Sequence, residues 1–319
     1  MLKSQSYQYE WIIFLLTFGV LLATSCEEPV DLDFAVQESQ IVVNSHFVEG
    51  EPFRVTLTKS KNILTTEPEE FVNNAIVKIF DPQGTALEEL RLVHFRTPYY
   101  ESRSLQPTSG KTYRLEVTVP DYPQIIAEDI VPLPVALQSI EMDTLEILGA
   151  AEDKLYKVAI NVHFDDPIGA QDYYHLSLYN DLSVVDNGSM FSEGPDDNRK
   201  NLTPLMPLES DPTNPTVTFH YEDGGVLFTD EAFDGQDASL KFYSLLSLNN
   251  ADHQGKIVGE LRTVSRAYYL YQTSLARQIA NKDRPFVEPT RVYSNIENGL
   301  GIFSGYAQYR DSVAISASY

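Results

Sequence analysis

Hydrophobic and polar positions change period along this chain, and the period marks its elements. Trp11 to Ala23 form an almost unbroken apolar run, closed by Glu10 before it and by Glu27 and Glu28 after it. As a helix it spans only about 20 Å, short of the roughly 20 apolar residues that a bilayer crossing requires. With Lys3 ahead of it, the run reads as the core of an export signal covering residues 1–25. Residues 26–37 are acidic and without period, a solvated tether. From Ile41 the period becomes two. Phe53, Val55 and Leu57 alternate with Arg54, Thr56 and Thr58, and Ala75 to Phe80 form another strand, closed by the turn residues Asp81, Pro82, Gln83 and Gly84. Leu87 to Phe95 predicts one strand more. After Gly110, the residues Tyr113, Leu115, Val117 and Val119 share a face. A tyrosine that opens a late strand just after a glycine turn has the pattern of a tyrosine corner. Pro120, Pro123, Pro132 and Pro134 close the segment, so residues 38–136 predict an immunoglobulin-like β-sandwich.

Residues 137–319 predict a larger, mostly-β domain with one α-helix. Tyr156, Val158, Ile160, Val162 and Phe164 alternate with polar neighbours; Asp165 to Gly169 turn the chain; Tyr173 to Tyr179 return it, which predicts a hairpin. Asp181 to Pro215 is polar and broken by glycine and proline, a long excursion of the kind that is functional or disordered. Strands resume near Thr216–Tyr221, Ser239–Asn249 and Lys256–Thr263. A helix is predicted near residues 265–281, capped by Ser265, with Ala267, Tyr268, Tyr271, Leu275 and Ile279 on one stripe. A last hairpin is predicted from Arg291–Ile296, the Asn298–Gly299 turn and Gly301–Tyr306, with Val313 to Ile315 adding a terminal strand.

Charge narrows the function classes. The chain holds 46 acidic and 23 basic residues, a net −23, with no clustered basic stripe. Such a field repels phosphate backbones and excludes nucleic acid as an expected partner. Nineteen tyrosines and 16 phenylalanines beside a single tryptophan suit half-buried sheet surfaces.

The only cysteine is Cys26, reached through the small residues Ala23, Thr24 and Ser25. This arrangement resembles the lipobox of bacterial lipoproteins, in which the cysteine is acylated and becomes the first residue of the mature chain. The usual leucine three residues before the cysteine is here Ala23, with Leu22 one place further back. The competing reading is an ordinary signal cleaved nearby, leaving a free thiol. A lone cysteine forms no internal disulfide, and lipidation accounts for the count. The expected membrane contact is therefore an N-terminal lipid anchor.

The stretch from Pro285 to Pro289, with Asn295-Ile296 and Asn298-Gly299-Leu300-Gly301-Ile302-Phe303-Ser304-Gly305-Tyr306, resembles the C-terminal signature of the lipoprotein family called "domain of unknown function 4249". Leu227 to Asp230 with Phe233 to Gln236 resembles its middle motif, and Gly110 to Val117 its N-terminal sandwich. The resemblance implies a Bacteroidetes cell-envelope lipoprotein, of a family often encoded near TonB-dependent outer-membrane receptors. It implies no established activity and no functional residues.

Catalytic constellations are absent from the sequence: it has no His-Glu-x-x-His, Gly-x-Ser-x-Gly, P-loop or dinucleotide fingerprint. His163 and His175, on the two arms of the predicted hairpin, are placed to face one another. Calcium is the one ionic candidate, through Asp230, Asp234 and Asp237 beside Gly235, with Glu231 among them and Asp196-Asp197-Asn198 in the excursion. Against it stands a tight Asp234-Gly235 turn with solvated acids around it. No catalytic residue and no cofactor are assigned. The expectation is a lipid-anchored outer-membrane protein, periplasmic or surface-exposed, acting as a non-catalytic binding module accessory to a TonB-dependent transporter. An envelope glycan hydrolase, which needs two carboxyls about 5–10 Å apart, and a structural adhesin subunit are the alternatives.

Overall fold

A computed structural model describes residues 39–61, 68–94, 96–148, 154–169, 171–181, 202–205, 208–214, 220–222, 225–248, 255–281 and 290–315. The signal, the tether and Cys26 lie outside them, as do Asp196, Asp197 and Asn198.

The alternation read from the sequence becomes burial in the first half. Strand β1 (Ile41–Val48) pairs antiparallel with β2 (Arg54–Lys59), where Val55 and Leu57 turn inward beside Phe53. The next strands are β3 (Ile76–Phe80), β4 (Ala86–Glu89), β5 (Arg91–Val93), β6 (Tyr99–Glu101), β7 (Thr112–Thr118) and β8 (Ile125–Ile130). One sheet runs β4-β3-β7-β8 and faces β1, β2 and β6 across a core that includes Phe47, Phe53, Leu115 and Val117. The predicted strand from Leu87 to Phe95 is broken at buried Leu90: β4 pairs with β3 in one sheet and β5 with β6 in the other. The tyrosine corner is present, since the Thr108 backbone N–H donates to the Tyr113 hydroxyl at 3.0 Å. This is an immunoglobulin-like sandwich.

The second half contributes β9 (Leu137–Leu148), β10 (Lys154–Asp165), β11 (Tyr173–Asp181), β12 (Leu202–Pro204), β13 (Glu209–Ser210), β14 (His220–Glu222), β15 (Gly225–Thr229), β16 (Asp237–Leu248), β17 (Lys256–Val264) and β18 (Leu300–Ala314). A four-stranded sheet, β13-β16-β10-β9, packs on β15, β11 and β17 around Phe164, Tyr174, Phe228, Phe233 and Phe242. The predicted hairpin of β10 and β11 is corrected: the two strands belong to different sheets and face each other across this core. Phe164 and Tyr174 meet there with ring centroids 5.2 Å apart. His163 therefore lies opposite Ser139 and Ser239, and does not meet His175.

The last hairpin is also corrected. Residues 291–296 form no strand, and β18 pairs parallel with β1 on one side and antiparallel with β17 on the other. Both edges of β18 are thereby occupied, and from the preceding segment the Asn295 carboxamide bonds Phe303 N–H and C=O at 3.1 and 2.7 Å. At about 3.3 Å per residue β18 is some 50 Å long. It places Phe303 and Ala307 in the first core and packs Val313 against the second. Through it the two sandwiches share one ten-stranded sheet, and the chain from Ser39 on forms one compact unit. Parallel contact with β1 demands close backbones: a Cβ on Gly301, whose φ is +101°, would lie 2.0 Å from the Val43 carbonyl oxygen.

Helix α1 (Arg266–Asn281) follows β17 and covers the outer face of the shared sheet. Its cap is as predicted, with Tyr268 N–H donating to Ser265 Oγ at 3.1 Å. The apolar stripe is only partly used, because Ala267 and Tyr268 are buried whereas Ile279 is 62% exposed. Among the described residues, no helix is long and apolar enough to cross a membrane.

Candidate functional site

Three places concentrate chemistry. The first is an acidic knot where the crossing after β10 meets the turn after β15. Asp166, Asp230 and Asp234 each present a carboxylate oxygen within 4.8 Å of the others, the first two buried and the third exposed. Asp172 stands beside them. Burial, then the charges of Asp166, Asp230 and Asp234, push its carboxyl up to about 6. Of the sequence candidates, the structure thus brings Asp230 and Asp234 together and adds Asp166 and Asp172. Asp237 goes elsewhere: it opens β16 opposite Asp165, whose hydrogen bond and charge raise its carboxyl.

The knot oxygens already hold the two loops. Asp166 accepts from the Tyr174 hydroxyl at 2.5 Å and from Gly235 N–H at 2.8 Å; Asp230 accepts from Asp172 N–H at 2.9 Å; Asp234 accepts from Gly169 N–H at 3.2 Å. Three oxygens can serve a cation, but calcium takes six to eight. The sequence offered Asp230 and Asp234 as neighbours and Asp166 only as part of a turn; the convergence of the two distant loops was not visible.

The second place lies beneath α1. Glu260 is fully buried; one oxygen meets the Arg262 guanidinium at 2.5 Å and the other the Arg310 guanidinium at 2.5 Å. Arg262 also donates to the Tyr268 hydroxyl at 3.1 Å and lies 5.0 Å from the centre of the Tyr306 ring. Tyr268 is bonded to His175 Nδ1 at 2.9 Å, and His46 Nδ1 to Ser304 Oγ at 2.7 Å. Burial, then the charge of Arg262, pull His46 down to about 4, leaving it neutral at pH 7. Buried and internally bonded, this network fastens the helix to the sheet.

The third place is a groove of about 600 Å³ at one end of the first sandwich, walled by the β3–β4 turn, β4, and the loop before β7. Each wall is held by a side chain bonded to backbone. Asp81 Oδ1 accepts from Gln83 and Thr85 N–H; Glu88 accepts from the N–H groups of Arg103, Ser104 and Leu105; Tyr113 takes Thr108. For Glu88, burial works to raise the carboxyl, but these bonds outweigh it and hold the group below its ordinary range. Pro82, Leu87 and Leu105 supply apolar surface, and Gln83, Gln106 and Lys111 supply polar ends. The groove lies at the far end of β1 from Ser39, since Gly50 N–H after β1 bonds Pro107 at 3.4 Å and Ser109 Oγ bonds Glu49 at 2.8 Å. Asp81 to Gly84 were read only as a turn, and nothing in their pattern signalled a wall.

The profile of the family described as "Domain of unknown function (DUF4249)" matches residues 27–312. No curated protein matches in sequence. Among solved structures, a chain of the complex of Dpr2 Ig1-Ig2 with DIP-Theta Ig1-Ig3 is 12% identical at a TM-score of 0.19, covering 69% of this chain and 92% of that one. A chain from a structure combining manganese lipoxygenase of Gaeumannomyces graminis and part of a zonadhesin of Komagataella pastoris is 12% identical at 0.15, covering 89% and 99%.

Proposed function

The chain belongs to the DUF4249 family, and from that premise we propose that it is a lipid-anchored cell-envelope protein working as a binding module, accessory to an outer-membrane TonB-dependent transporter. The groove of the first sandwich is the observation that carries the binding role. Its walls are fixed in advance, which lowers the ordering cost of association. It lies at the far end of β1 from Ser39, about 25 Å along the strand. The apolar run before Cys26 and the small residues leading to it support the anchor. The shared strand β18 supports a stiff body on that anchor.

Two experiments test the reading. Cys26→Ser should leave the protein unacylated and release it from the membrane fraction; unchanged acylation and membrane association would overturn the anchor. Tagged wild-type protein, drawn gently from outer membranes in mild detergent, should bring a receptor-type transporter with it. Recovery of the protein alone would overturn the accessory role.

A further inference from the structure

Helix α1 stands apart from both cores. Each sandwich closes its core without an α1 side chain, and Tyr268 packs with Leu227 and Val264 in a small cluster of its own. Arg277 to Ala280 are exposed. The start of the helix is fastened, because Ser265 caps it and also bonds Asp129 of the facing sheet; farther along, Ser274 Oγ accepts from Tyr293 N–H at 2.9 Å. What lies beneath is polar. The ring of His46, on β1, sits 5.2 Å from that of Tyr268 and 6.3 Å from that of Tyr271, and its Nδ1 is bonded to Ser304 Oγ of β18 at 2.7 Å. The charge acting on it is that of Arg262 on β17. The carboxylate of this layer, Glu260, is held by Arg262 and Arg310, and the other histidine, His175 of β11, bonds the Tyr268 hydroxyl. Among the described residues no acid is bonded to His46. A proton on its ring thus makes a second cation beside Arg262, covered by the helix and without a counter-charge.

We infer that α1 is a cover hinged at Ser265, which protonation of His46 releases from the shared sheet while both sandwiches stay folded. Elements that lie outside a core open at lower free energy than the whole molecule, and lifting α1 breaks neither core. Burial first, and Arg262 second, hold His46 at about 4 under the helix, against 6.5 for a ring in water. The open form therefore takes up the proton first, and closure is lost progressively as pH falls from 6.5 toward 4. Release uncovers Arg262 and Tyr306, which Tyr268 now covers, and wets the ion group around Glu260. Asp129, at the hinge, carries the opposite sign, since burial raises its carboxyl to about 6 in the closed form. The proton that matters is thus identified at His46 itself, and not by pH alone.

The test is hydrogen–deuterium exchange of the full-length protein in detergent, read by mass spectrometry from pH 7.5 to pH 4.5 and corrected for the intrinsic pH dependence of exchange. Protection of the α1 amides should fall about fiftyfold or more over this range, one proton's worth, while β7 and β10 keep theirs. Two variants remove the proton site differently. His46→Asn keeps a polar partner for Ser304, and His46→Phe keeps a ring against Tyr268 and Tyr271. In at least one of them the fall should shrink to a few-fold, whatever its protection at pH 7.5. Protection of α1 that does not change with pH overturns the inference. So does a fall that persists in both variants, which would place the trigger at His175 or elsewhere. Loss of protection in α1, β7 and β10 together would show unfolding of the whole body and overturns it as well.

Discussion

Replacing Glu260 by glutamine removes one charge and almost no volume from the most enclosed ionic site in the described residues. The carboxylate has no exposure, and its two oxygens each meet one guanidinium at 2.5 Å. Breaking a buried pair by removing one partner costs about 3–5 kcal/mol, because a cation is left without its counter-charge. The two arginines differ in how they can escape. Arg310 keeps 28% of its side chain in solvent and can turn outward, whereas Arg262 keeps 11% and is fastened by Tyr268 and Tyr306. The loss therefore falls on Arg262, and the expected cost is near the lower bound, about 3 kcal/mol.

For a chain of this size each kcal/mol moves the melting temperature by about 2–4 °C, so Glu260→Gln should melt roughly 6–12 °C lower. Far-UV circular dichroism under heat and urea reads both quantities. The companion variant Glu260→Leu with Arg262→Met and Arg310→Met should recover most of the loss, since an apolar replacement of a whole buried ionic group is often neutral or better. A single-variant loss below about 1 kcal/mol would refute the claim that Arg262 is held in place. A triple variant no more stable than the single one would refute the assignment of the cost to an orphaned charge.

Three further outcomes can be checked by the same unfolding measurements. Gly301→Ala should cost about 3 kcal/mol or more, since its Cβ would overlap the Val43 carbonyl, whereas Gly50→Ala, at φ +82° with open space around it, should cost about 1–2 kcal/mol; equal costs would remove the argument for close β1–β18 contact. Ser265→Ala removes both the cap on Tyr268 N–H and the bond to Asp129, and should lose about 1–2 kcal/mol; no change would show that the helix start is held elsewhere. Asp129 and Asp172 are each pushed up to about 6, by burial first. A carboxyl raised in the fold takes up its proton there before it does in the unfolded chain, so its penalty is full above pH 6 and is relieved as pH falls toward about 4. Asp211 is lowered to about 2, first by hydrogen bonds from Thr213 and Tyr243, so its contribution is lost only below about pH 4. His46, lowered to about 4, works the other way, because below about pH 6.5 the unfolded chain takes up its proton and the fold does not. The sign for Asp172 is therefore read by difference: the urea midpoint of the wild type minus that of Asp172→Asn should rise from pH 7.5 to pH 5, and a difference that stays constant or falls would contradict it.

Legibility followed how local each cause was. Strands with clear alternation, such as β7 and β10, could be read because one face is buried, from Tyr113 to Val117 in the first and from Val158 to Phe164 in the second. Tyr113 was readable because its corner bond spans only five residues. Strand β9 escaped notice because register shifts against β10, at Lys157/Val158 and His163/Phe164, break its alternation. The acidic knot escaped in part because Asp166 and Asp230 meet only when residues far apart in sequence fold together. Asp237 looked like a member through spacing alone, and its place at the start of β16 pairs it with Asp165 instead.

The segment from Asn298 to Tyr306 carried the strongest resemblance and the most misleading local pattern. An Asn-Gly pair between apolar runs is good hairpin chemistry, yet three glycines within seven residues also mark a strand that other backbones approach closely. The second meaning is the one realised. A Cβ on Gly299 would lie 2.9 Å from the Ile41 carbonyl oxygen, on Gly301 2.0 Å from that of Val43, and on Gly305 2.2 Å from that of Ile130. Two of these carbonyls belong to β1 and the third to β8, so the glycines let one strand lie beside β1 and under the facing sheet of the first sandwich. Farther along, the same strand leaves that core and packs Val313 on the second. The signature is thus the part of β18 built into the first sandwich, and a side chain at Gly301 or Gly305 acts on that core before the strand reaches the second.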